Sequence, residues 1–76
     1  MSGGALRRHD LIERKEAVRA EIAKVQRKLA RARQTETAAP ERDRRKPARL
    51  IEELEARLEA LKAEEHSLRL RIDRAG

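Results

Sequence analysis

The stretch Val18-Arg19-Ala20-Glu21-Ile22-Ala23-Lys24-Val25-Gln26-Arg27-Lys28-Leu29-Ala30-Arg31-Ala32 decides the fold. Its aliphatic residues Val18, Ile22, Val25, Leu29 and Ala32 follow one another in steps of four, three, four and three. That alternation returns each of them to one side of an α-helix and is the heptad spacing of a coiled coil. Leu11 continues the stripe towards the N-terminus, and neither glycine nor proline interrupts residues 5–36, so that span is expected to be a first helix. Residues 1–4, Met1-Ser2-Gly3-Gly4, are expected to be a flexible tail, and Asp10 with Glu13 has the spacing of a capping box, a later alternative start.

Both prolines lie downstream of this stretch, at Pro40 and Pro47. Each disfavours helix at the residue before it, so residues 37–46 read as a basic loop and Pro47 as the first residue of a second helix over 47–75. The heptad stripe resumes there as Ile51, Leu54, Leu58, Leu61, Leu68, Ile72 and Ala75, with Glu65 in the one polar slot. The expected fold class is all-α: a single antiparallel two-helix coiled-coil hairpin, with a dimer of hairpins forming a four-helix bundle as its expected assembly.

An antiparallel pair sets the a residues of one helix against the d residues of the other. Ala32 then faces Ile51, Leu29 faces Leu54, Val25 faces Leu58, Ile22 faces Leu61, Val18 faces Glu65, Lys15 faces Leu68 and Leu11 faces Ile72. Each step up the first helix is one step down the second, and the turn falls where the prolines are. Lys15 and Glu65 occupy neighbouring layers and are expected either to pair, fixing the register, or to snorkel to water. At the flanks this register sets like charges near one another: Glu21 near Glu64, Lys28 near Arg57, Arg14 near Arg71. A one-heptad slide would bring Glu21 to Arg57 and Arg14 to Glu64, but it would set Leu29 against Pro47 and Leu11 against Glu65. A buried leucine contributes roughly 1.5–3 kcal/mol and an exposed ion pair a few tenths, so the apolar register is expected to hold, with the flanking charges paired between chains. Ile12, Leu50 and Leu70, with Ala56, Ala60 and Ala63, are the expected second contact surface.

The composition narrows the function. The 76-residue chain has no cysteine and no aromatic residue, and 45% of it is charged, with a net charge of +6. Disulfides, thiolate metal sites and base-stacking platforms are therefore excluded. No run is long and apolar enough for a membrane span, and the N-terminus lacks the pattern of a signal peptide, so a cytoplasmic protein is expected. His9 and His66 stand at outward heptad positions without the spacing of a metal-binding motif, and Ser2 and Ser67 have no base beside them. No enzyme, metal, cofactor or small-molecule substrate is expected.

Charge is distributed unevenly. Lys24, Arg27, Lys28, Arg31, Arg33, Arg42, Arg44, Arg45, Lys46 and Arg49 are opposed in their stretch by only Glu36, Glu41 and Asp43. Residues 52–65 carry Glu52, Glu53, Glu55, Glu59, Glu64 and Glu65 against Arg57 and Lys62. Lys24, Arg27, Lys28, Arg31, Arg42, Arg44, Arg45, Lys46 and Arg49 form the candidate patch for an anion or a partner. The expected function is that of a small interaction or assembly protein acting through helix–helix contacts with itself or another protein. Nucleic-acid binding through phosphates is the alternative.

Overall fold

The computed structural model describes residues 8–75, which form two antiparallel α-helices, α1 (Arg8–Ala38) and α2 (Arg45–Ala75), each of 31 residues. A 3₁₀ turn over Glu41–Asp43 joins them. The expected tail over residues 1–4 and any helix over residues 5–7 lie outside the described residues. The hairpin is a rod of 58 × 18 × 15 Å. The helices begin and end at residues that the apolar register sets level, Arg8 with Ala75 and Ala38 with Arg45.

The turn is tighter than the loop expected over residues 37–46, and the reasons are local. Pro40 constrains only Ala39 before it, so Thr37 and Ala38 remain helical, and the Ala39 N–H still donates to the Thr35 carbonyl at 3.0 Å. Thr35 and Thr37 turn their hydroxyls back onto the carbonyls of Arg31 and Arg33, at 3.1 and 2.9 Å. At the other side α2 starts at Arg45, two residues before Pro47. Proline in a first turn forfeits no intrahelical bond, because those N–H groups have no partner within the helix in any case. The Ala48 N–H donates to the Arg44 carbonyl at 2.9 Å, closing the first turn of α2. Asp10 already lies within α1, so it is not the residue that caps it.

The core is a single aliphatic seam. Leu11, Val18, Val25, Leu61, Leu68 and Ile72 form one contiguous buried cluster, with Ile12, Ile22, Leu54 and Leu58 half-buried against it. Leu29 and Ala32 are buried on α1, but the residues expected to face them, Leu54 and Ile51, are only half-buried. The seam is therefore closed at the end where Leu11 meets Ile72 and open on the α2 side near the turn. Ile12 leans onto the core, which removes it from the expected outer surface. Among the described residues no polar or charged residue is buried: Lys15 and Glu65 are half-buried.

This asymmetry gives unequal mutational costs. Leu68→Ala should cost about 2–4 kcal/mol and Leu54→Ala about 1–2 kcal/mol in urea unfolding of the hairpin, because only Leu68 gives up a filled site.

Candidate interaction surface

Two faces flank the seam, and each has its own ion pairs. On the first, Arg14 Nε donates to Glu64 Oε2 at 2.8 Å, with Arg14 Nη2 at 2.6 Å from the same oxygen. One heptad nearer the turn, Arg57 Nη2 donates to Glu21 Oε2 at 3.3 Å. On the second face Arg33 Nη2 donates to Glu55 Oε2 at 2.9 Å, and Arg19 Nε lies 3.5 Å from Glu65 Oε2. Glu65 thus has its ion pair with Arg19 rather than with Lys15.

These pairs overturn the expectation that the flanking charges oppose like with like and need a second chain. The apolar register and the pairs Arg14–Glu64 and Glu21–Arg57 coexist. Positions beside the seam do not meet at equal height: the partner of Glu21 lies about 7 Å along the axis from the residue level with it. Extended arginine and glutamate side chains span that offset. On the second face the offset has the opposite sense, from Arg33 to Glu55, so the two sets of pairs straddle the seam. All of these side chains are at least partly exposed, so each pair contributes about 0.2–1 kcal/mol.

The first face repeats by heptads: Arg14 with Glu64, Glu21 with Arg57, and next Lys28 with Leu50. The third rung has a cation and no anion. Leu50 is 45% exposed there. Lys28, Arg31, Ala32, Thr35, Leu50 and Leu54 line an open groove of about 320 Å³ at this rung, its floor made by the apolar side chains. Beside it, Lys24, Arg27, Lys28 and Arg31 line a shallow basin of about 220 Å³. Their spacing places them on one helical stripe, all four exposed. Among the described residues none of the four has an acidic partner within ion-pairing distance. Like charges three and four residues apart on a helix cost about 0.2–0.5 kcal/mol per pair, so this stripe weakens α1 in isolation.

The turn supplies the rest of the candidate patch. Arg44 Nε donates to the Ala39 carbonyl at 2.9 Å, ending α1 and strapping it to the start of α2. That gives Arg44 a structural task the sequence did not disclose. Arg42, Arg45, Lys46 and Arg49 are exposed and line two open concavities, one with Asp43 and one with Ala48 and Glu52. Arg45 and Lys46 sit in the first turn of α2, where the helix dipole favours anions, and no acidic residue stands in that turn.

At the far end of the hairpin, donor atoms of His9, Asp10 and Glu13 lie within 4.8 Å of one another. His9 Nε2 is 3.1 Å from Asp10 Oδ1 and 4.0 Å from Glu13 Oε1. The spacing of one and four residues, legible in the sequence, produces this cluster; its three groups come from one exposed turn and are screened by water. Leu70, 47% exposed, lies about 30 Å along α2 from Leu50, so the two leucines belong to separate surfaces. Among the described residues no helix is long and apolar enough to cross a membrane.

The rung pairs can be measured directly. A double-mutant cycle with Glu21→Gln and Arg57→Gln should give a coupling of about 0.2–1 kcal/mol at low salt, shrinking at high salt. The charge swap of Glu21→Arg with Arg57→Glu should restore most of it.

No family model matches the chain, and neither the curated proteins nor the solved structures include a match to it.

Proposed function

We propose that the hairpin is a small non-enzymatic interaction module, in a cytoplasmic setting, that acts by packing a further helix against its own two. The observation that carries this reading is the half-open seam: Ile51, Leu54 and Leu58 are half-buried and Leu50 is exposed, all on the turn-proximal half of α2. Two helices have one narrow line of contact, and a third or fourth helix is the usual way to cover such residues. The added helix comes from a protein partner or from a second copy, which would make the four-helix bundle.

Affinity capture with the wild-type hairpin and Leu50→Glu tests the reading, alongside sedimentation equilibrium of both. A protein partner or a self-associated species present with wild type and lost with Leu50→Glu is the expected result. A wild type that stays monomeric and retains nothing sensitive to Leu50→Glu would overturn it.

A second reading, nucleic-acid binding, is favoured by the exposed cations Arg42, Arg45, Lys46 and Arg49 around the dipole-positive end of α2. Under it, the affinity for duplex RNA or DNA falls steeply with salt. Neutralising Arg42, Arg45 and Lys46 would then reduce the slope of log affinity against log salt by about 0.7–0.9 for each phosphate that no longer meets a cation. Absence of binding at low salt would dismiss it.

A further inference from the structure

We infer that the partner is an acidic amphipathic helix, and that it docks where Lys24, Arg27, Lys28 and Arg31 of α1 meet Leu50 and Leu54 of α2. The inference rests on the interaction-module reading and adds the partner's chemistry. An aliphatic side chain of the incoming helix enters the groove over Leu50, Leu54 and Ala32. Its carboxylates supply the anion missing from the third rung and neutralise the stripe beside it.

Three independent features converge on this face. The rungs Arg14–Glu64 and Glu21–Arg57 are complete, and the next holds Lys28 against a leucine. The four unpaired cations repeat at the spacing at which a helix displays carboxylates along one side, three and four residues apart, about 5–6 Å between neighbouring Cβ atoms. The seam beneath is under-covered on α2 at this end only. A third helix lying along the groove would meet all three conditions at once, at the usual distance of about 8–10 Å between axes.

Other occupants match fewer of them. A nucleic-acid backbone would satisfy the cations but leave the leucine groove in water, and the chain has no aromatic residue to stack a base. A second copy brings a net charge of +6 against +6.

The probe is a synthetic peptide of about three heptads with leucine at the a and d positions and glutamate at e and g, which disfavour its own pairing. Two control peptides replace the leucines by alanine or the glutamates by glutamine, and a duplex RNA is the fourth ligand. Fluorescence anisotropy reads affinity, and amide chemical shifts of the hairpin read location. The acidic leucine peptide should bind, with the largest shifts around Lys28, Ala32, Leu50 and Leu54, and each control should bind at least about tenfold more weakly. Leu50→Glu completes the third rung, so it should raise the melting temperature of the hairpin while lowering peptide affinity by about tenfold or more. Loss of binding by that variant is thereby separated from loss of folding. Lys28→Ala with Arg31→Ala should weaken binding while leaving the melting temperature unchanged or higher.

Equal binding of the alanine peptide, shifts located elsewhere, or an affinity indifferent to Leu50→Glu would overturn the inference. Preferential binding of duplex RNA to the same residues would overturn it in favour of a phosphate site. No peptide binding, together with self-association abolished by Leu50→Glu, would overturn the acidic partner and leave the interaction module standing. No peptide binding from a strictly monomeric hairpin with no Leu50-dependent partner would overturn both.

Discussion

The whole structure depends on how little a pair of helices can hide. One helix offers another a single stripe, two residues in seven, and everything else must live in water or find another partner. The chain meets that limit with aliphatic side chains alone, with no polar group buried among its described residues. The charged majority is displaced to the flanks, where it is arranged by the same heptad that sets the seam. Packing and electrostatics are thus two readings of one periodicity. The apolar layers carry the larger energies, and the ion pairs select among side-chain conformations at the edge.

Much of this was legible in the residues. The four-three alternation from Val18 to Ala32, its return from Ile51 to Ile72, and the two prolines between them specify the helices, their antiparallel sense and their register. The ends of the turn were less legible, because proline acts on its predecessor and not on whole segments: Thr37 and Ala38 stay helical, and Arg45 and Lys46 precede Pro47 within the first turn. The strap from Arg44 to the Ala39 carbonyl depends on the shape of a tight turn that no periodicity describes.

The flanking charges show a different kind of limit. Heptad letters give the angle of a residue around the helix, and the apolar register gives its height. Neither says how far an arginine will reach. Glu21 and Arg57 are apart in height yet bonded, so pairing residues by level alone put like charges together where the structure has complementary ones. Once the rungs are known, the position of Leu50 in their sequence acquires a meaning that it lacks in the bare pattern. The candidate surface was half visible: its cations stand out in composition, while its apolar floor emerges only when the burial of Leu54 is compared with that of Leu68.

The closed end of the seam also bears on how the chain reaches its fold. Hairpins commonly zip from the turn outwards, since the first contacts then enclose the shortest loops. Here the residues nearest the turn on α2 give the weakest return: Ile51 and Leu54 are half-buried, while Leu11 and Ile72, near opposite ends of the chain, are both buried. The layer of Leu11 and Ile72 closes the longest loop of the hairpin, so the entropy of restraining that loop is spent before its burial is gained. A helix bound across the turn-proximal groove would strengthen the early layers, so a partner there would act on the route to the folded state as well as on its stability.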